Sequence, residues 1–126
     1  MSEQVNMSLY ELVGGEQWFV DLVNRFYDGI DTDPLVRPMY PDDLTGSRHW
    51  MALFLVQYWG GPTTYNENRG HPRLRMRHNP FPITQAARDA WFGHMRASLE
   101  VSGLDPDVEA QVLAYFENAA DHLINS

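Results

Sequence analysis

The chain has 126 residues, with nine basic against 17 acidic side chains and a net charge of −8. This length suits one domain over residues 1–126, and we expect residues 1–7 to form a disordered extension of it. The excess of acidic side chains argues against nucleic acid or an anionic membrane as a partner. Without cysteine, disulfides, thiolate catalysis and zinc ribbons are excluded. Neither a signal peptide nor a membrane-spanning apolar stretch is evident, so we expect a cytoplasmic protein.

Apolar residues recur at helical spacing along nearly the whole chain, and no segment shows convincing strand alternation. Ser8 predicts the N-cap of a short helix that ends at Gly14-Gly15. The next helix ends between residues 31 and 34 and carries one apolar stripe, made of Phe19, Leu22, Val23, Phe26, Tyr27 and Ile30. The proline-rich stretch 33–44 has room for one helical turn.

A further helix is predicted from about Leu44 to Tyr58, with Ser47, Met51, Phe54, Leu55 and Tyr58 on one side. Residues 63–70 are predicted as a loop, and Pro72 opens a short helix that ends before Asn79. Thr84 predicts the N-cap of a helix to about Val101, and Asp105-Pro106 begins the last helix. The fold class is therefore a small all-α domain with about four substantial helices.

The run HPRLRMRHNPFPI, residues 71–83, places a local basic cluster in an acidic chain. On a short helix, Leu74 and His78 share a face, and Arg73 and Arg77 lie about a quarter turn round from them. A flat ligand with an apolar body and acidic edge groups would suit such a helix, and haem has that shape, with iron that takes an imidazole nitrogen. The alternative is an exposed basic turn.

The other histidines show no spacing typical of a metal site. His71 is too far from His78 for a pair on one helical turn, and His49, His94 and His122 form no HxxxH or HExxH pattern. We expect them to be surface or hydrogen-bonded buried side chains, so a zinc site is poorly supported. Paired acids at 42–43 fit a helix cap, and the glycine pairs fit helix ends rather than a phosphate loop.

Three aromatic residues, Tyr27, Tyr40 and Trp91, each bring one hydrogen-bond donor into the predicted core. A buried Tyr or Trp needs a partner for that donor. The donors either serve a ligand or belong to ordinary core packing, with the polar tip on a backbone carbonyl.

Four motifs are similar to those of the truncated haemoglobins, the short two-over-two helical globins, and specifically of their second group: NRFYDGI, RPMYP-DDL, FLVQYWGGPTTY and RGHPRLRMRHNPF. The resemblance covers about residues 8–125. It implies a bacterial-type truncated globin fold, a helical sandwich around haem b. The absence of Cys-x-x-Cys-His implies haem held without covalent links.

The resemblance also implies roles for individual residues. His78 corresponds to the proximal ligand of the haem iron, and Tyr27, Tyr40 and Trp91 to the residues that stabilise a bound ligand on the distal side. Trp50 stands where some relatives carry a base near a propionate, so Arg77 and its neighbours are expected to supply that contact. The haem contacts implied are His78, Tyr40, Ser47, Met51, Phe54, Leu55, Leu74, Arg77 and Trp91.

Two functions follow from this resemblance. The first is reversible binding of O2, CO, NO or a similar diatomic ligand with slow release, which suits redox detoxification or sensing better than bulk oxygen transport. The second is a peroxidase-like or nitric oxide dioxygenase enzyme, which needs a separate reductase because no flavin or nicotinamide site is visible. A third interpretation, a haem-free helical interaction domain, remains open, as does a homo-oligomer.

Overall fold

The computed structural model describes residues 8–69 and 83–123. The predicted N-terminal extension and the basic run with Leu74, Arg77 and His78 lie outside the described residues. Within the described part of the chain, all regular secondary structure is helical, which confirms the all-α prediction. No helix in that part is both long and apolar enough to cross a membrane.

The first helix, α1, spans Leu9–Leu12 and begins at Ser8 as predicted. The Ser8 hydroxyl accepts a hydrogen bond from the Glu11 N–H at 3.2 Å, and the Glu11 carboxylate accepts one from the Ser8 N–H at 3.2 Å. This reciprocal capping box satisfies donors that a helix start leaves unpaired. Gly14 and Gly15, with φ of 86° and 112°, adopt a backbone conformation that favours glycine and turn the chain into the next helix.

Helix α2, Glu16–Asp31, buries the apolar stripe that its sequence predicts, with all six stripe residues in the core. A single 3-10 turn follows at Arg37–Met39, again as predicted. The Arg37 guanidinium holds this turn in place. It pairs with Asp31 at 2.9 Å and donates to the carbonyls of Pro41 and Asp42 at 2.9 and 2.8 Å. These contacts fix the backbone on both sides of Tyr40.

Helix α3 spans Thr45–Tyr58, and a further helix, α4, spans Thr64–Arg69. The prediction of a loop over residues 63–70 was therefore wrong. The segment has one apolar anchor and no periodicity, but Tyr65 is only 5% exposed because its ring packs edge-on against Trp50 and Phe54. Tertiary packing stabilises a helix that is too short to form by itself.

Helix α5 spans Gln85–Glu100, with the Thr84 hydroxyl accepting from the Ala87 N–H at 3.1 Å, and α6 spans Pro106–Leu123. Helix α2 packs against α3 and α5, and α5 packs against α6. Two helix pairs, α2 with α3 and α5 with α6, thus lie one over the other. The Arg88 guanidinium ties the second pair together through Glu117 and Asp121 on α6, at 3.3 and 2.8 Å.

Candidate functional site

A cavity of about 460 Å³ lies between the helix pairs and is closed on one side by the turn before α3 and by α4. This volume falls in the range of about 300–1,000 Å³ that is usual for cofactor and small-molecule sites. Its walls are Tyr27, Tyr40, Pro41, Asp43, Gly46, Ser47, Trp50, Met51, Phe54, Leu55, Tyr65, Arg69, Trp91, Tyr115, Phe116 and Ala119.

Every predicted site residue within the described part of the chain lies on this cavity. They come from four different elements, and the structure brings them together: Tyr27, Tyr40, Ser47, Met51, Phe54, Leu55 and Trp91. The three others, His78, Leu74 and Arg77, lie outside the described residues. Tyr58, which was predicted on the same side of α3, does not line the cavity and is 53% exposed.

The polar end of the cavity is built from Tyr27, Tyr40 and Trp91. Tyr27 is 5% exposed on α2, and its ring meets that of Tyr40 edge-on, with centroids 5.5 Å apart. Phe26 packs edge-on against both Tyr27 and Trp91, at 5.0 and 5.3 Å between centroids. The three side chains are therefore held in place by aromatic packing.

Trp91 also acts on Tyr40. Its indole N–H can only donate, and as a donor towards the Tyr40 hydroxyl it lowers the pKa of that group. Burial is the larger effect and raises the pKa of Tyr40 to about 12. Tyr40 is consequently a neutral donor at neutral pH.

Tyr27 is also a neutral donor. Burial and the neighbouring Tyr40 raise the pKa of Tyr27 well above its ordinary value, and the Arg48 guanidinium opposes this shift only in part. Arg48 lies 5.8 Å from the centre of the Tyr27 ring and is itself held by Asn24 and Asp28. The cavity thus carries phenol and indole donors that do not ionise near neutral pH.

The remaining walls are mainly apolar. Met51, Phe54 and Leu55 come from α3, and Phe116 and Ala119 come from α6. Sequence reasoning assigned no site role to these α6 residues. It also assigned no site role to Tyr65 or Arg69. The one available signal was that Arg69 lies two residues before the basic run 71–83.

Three histidines that were not predicted as ligands, His49, His94 and His122, do not line this cavity, and a fourth, His71, lies outside the described residues. His94 on α5 faces Asp33, with 2.8 Å between Nε2 and Oδ2, and Nδ1 of His122 lies 2.8 Å from the Asn118 carbonyl oxygen. His49 is exposed. The interpretation of these three as surface or satisfied side chains is confirmed. Among residues 8–69 and 83–123, no cluster of three or more His, Cys, Asp or Glu side chains could hold a metal ion.

The lining of the cavity fits a flat, mainly apolar cofactor whose bound ligand lies at the polar end. Aromatic and aliphatic walls cover its faces, donors sit together at one end, and the Arg69 guanidinium lies on the wall near α4. Haem has an apolar ring and carboxylate edge groups, so the residues present fit it.

Comparisons with known proteins match both sequence and fold. Residues 8–125 match the bacterial-like globin family. The group 2 truncated hemoglobin YjbI of Bacillus subtilis is 40% identical over 116 residues, which cover 92% of this chain and 87% of that protein.

Two solved structures resemble this one closely. The hemoglobin of Chloroflexus aurantiacus has a TM-score of 0.92 and 45% identity, covering 96% of this chain and 100% of that one. The truncated oxygen-avid haemoglobin of Bacillus subtilis has a TM-score of 0.87 and 39% identity, covering 94% of this chain and 100% of that one.

Proposed function

The chain belongs to the bacterial-like globin family, whose members bind haem b and small gaseous ligands, and we propose that it binds O2 reversibly with slow release. The predictions of a truncated globin fold and of haem b are thereby confirmed. The observation that carries the proposal is the meeting of Tyr27, Tyr40 and Trp91 in one cavity.

Haem in this cavity would supply the iron at which a diatomic ligand binds. We propose His78 as the protein ligand of that iron, and Leu74 and Arg77 as further haem contacts. In the described part, Ser47, Met51, Phe54 and Leu55 would contact the ring from α3. Their apolar surfaces exclude water, which strengthens hydrogen bonds made inside the cavity.

The chain's own donors account for slow release. Tyr27 and Tyr40 remain protonated because their pKa values are raised, and Trp91 can only donate. A hydrogen bond to a charged group in such a site contributes about 1.5–3 kcal/mol, which corresponds to roughly tenfold or more in dissociation rate. The oxygen-avid protein of Bacillus subtilis, 39% identical, supports O2 as the ligand. Slow release fits redox detoxification or sensing.

A second candidate is a peroxidase-like activity with an external electron donor. Tyr115 lies on the cavity wall, and its ring centroid is 4.4 Å from that of Tyr58, which is 53% exposed. Two phenols in contact connect the cavity with the surface, where a separate reductase or a phenolic reductant could deliver electrons. A nitric oxide dioxygenase activity would need the same external donor. Reversible O2 binding does not depend on this pair, so it is the function proposed first.

The test begins with the purified chain supplied with haem. We expect a Soret band of b-type haem in the wild type and in His49→Ala, and a large loss of haem affinity in His78→Ala. His49 is the matched control because it is an exposed histidine on α3. Equal losses in the two variants would contradict the assignment of His78. No Soret band in the wild type would overturn the proposed function.

A further inference from the structure

Arg69 is the last residue of α4 and lies on the wall of the cavity. Its guanidinium carbon is 5.0 Å from the centre of the Trp50 ring on α3, and Trp50 lines the same cavity. A guanidinium over an indole face is held by attraction to the ring's electrons and keeps its N–H donors available at its edge. The side chain is thus placed where the cavity meets solvent.

The charges around Arg69 set it apart from the other described arginines. Arg37, Arg48, Arg88 and Arg96 each pair with a carboxylate of the chain, and Arg25 donates twice to the Ser98 carbonyl. No carboxylate among residues 8–69 and 83–123 lies within ion-pair distance of Arg69. In a chain of net charge −8, this cation beside the cavity packs on an indole and forms no ion pair with a described carboxylate.

Helix α4 holds Arg69 through Tyr65. The Tyr65 ring is buried and meets Trp50 and Phe54 edge-on, with centroids 6.1 and 5.5 Å apart. Tyr65 and Arg69 are four residues apart in the sequence, so they share one face of the helix. The packing that anchors α4 therefore also directs Arg69 towards Trp50.

We propose that Arg69, positioned by Trp50, binds a carboxylate of haem and thereby controls how long the cofactor is retained. A planar guanidinium matches a carboxylate with two parallel N–H donors. The proposal deepens the proposed function and rests on haem occupying this cavity. It adds a contact on α4 to the one expected from Arg77 and its neighbours.

The experiment compares haem with haem dimethyl ester, whose edge groups carry no charge. Each is loaded into the wild type and into Arg69→Met, and its transfer to excess apomyoglobin is followed by absorbance. We expect Arg69→Met to lose haem roughly tenfold faster than the wild type, from the loss of a charge-assisted bond. The two proteins should lose the ester at equal rates.

Two further variants sharpen the comparison. Arg96→Met on α5 is the control, because it removes an exposed arginine that lies 3.8 Å from Glu100 and off the cavity wall, and its loss rates should equal those of the wild type. Arg69→Lys keeps the charge but not the planar fork, so we expect an intermediate rate for haem.

The outcomes separate the proposal from its alternatives. Equal acceleration of haem and ester by Arg69→Met would show that Arg69 only stabilises α4, and unchanged rates would show that it does not hold the cofactor. Either result overturns the proposal. If the wild type takes up neither compound, the proposed function itself fails, and this is visible before any variant is made.

Discussion

At the scale of single residues, the ligand that the polar end of the cavity can bind depends on which of its side chains donate hydrogen bonds and which accept them. Trp91 has one N–H and no acceptor, so it can act on the Tyr40 hydroxyl only as a donor. Tyr27 and Tyr40, which each carry a hydroxyl group, both line the cavity. A ligand with partial negative charge on its outer atom is therefore met by donors.

Replacing Trp91 by Phe tests whether the indole N–H contributes to ligand binding. The aromatic ring remains, so the loss of packing should be modest, but the N–H is removed. We expect O2 release to accelerate roughly tenfold or more, from a loss of about 1.5 kcal/mol or above. Carbon monoxide carries less negative charge on its outer atom and should respond less.

Stopped-flow measurement of both release rates decides between the interpretations. If the release of both gases is accelerated by the same factor, Trp91 acts as a steric gate. If neither rate changes, Tyr27 and Tyr40 hold the ligand without it.

At the scale of elements, Gly29 on α2 lies directly against His94 on α5. A Cβ at this position would lie 2.5 Å from Nδ1 of His94, whose ring is held by Asp33. Trp91 precedes His94 by one turn of α5, and Tyr27 lies two residues before Gly29. The absence of a side chain at Gly29 therefore leaves room for the His94 ring between the two helices that carry Tyr27 and Trp91.

Gly29→Ala should lower the free energy of unfolding by about 1–3 kcal/mol, although alanine is the better helix former, because the methyl group displaces the His94 ring. Gly93→Ala on α5 is the control. Its Cβ would meet nothing within 4 Å, so the variant should be more stable by about 0.5–1 kcal/mol.

Chemical denaturation of both variants provides the measurement. In a His94→Ala background the Gly29→Ala penalty should largely disappear, since the clash is removed. A penalty of the same size there would mean that His94 is not its cause.

At the scale of the whole molecule, the ionisation of the partly buried tyrosines Tyr40 and Tyr115 couples the cavity to global stability. The pKa of Tyr40 is raised to about 12 by burial, and that of Tyr115 to about 12 by burial and by Tyr58. In the unfolded chain a tyrosine ionises near pH 10. Between these values the unfolded state has released a proton that the folded state retains, so stability falls as pH rises.

We therefore expect the free energy of unfolding of the wild type to fall between pH 9 and 11. In Tyr40→Phe this decrease should be smaller by about 1 kcal/mol. Below pH 9 the two proteins should show the same dependence on pH, because Tyr40 is neutral in both states. Denaturation at a series of pH values measures this difference. Parallel curves up to pH 11 would show that the Tyr40 hydroxyl is not shielded from solvent.

Much of the helical framework follows from the sequence alone. The Ser8 and Thr84 caps, the α2 stripe and the start of α6 at Pro106 were all predicted correctly. Each of these signals lies within one or two turns of the chain, so neighbouring residues are sufficient to encode it. The motifs also identified the family and, with it, haem.

Contacts between distant parts of the chain were decided by the tertiary structure. Helix α4 exists because Tyr65 packs against α3, and nothing in residues 63–70 alone encodes that surface. The meeting of Tyr40 and Trp91 on one cavity and the position of Arg69 over Trp50 each bring together residues far apart in sequence. Periodicity and capping specify which segments are helical, whereas the partner of each polar side chain depends on how the helices pack together.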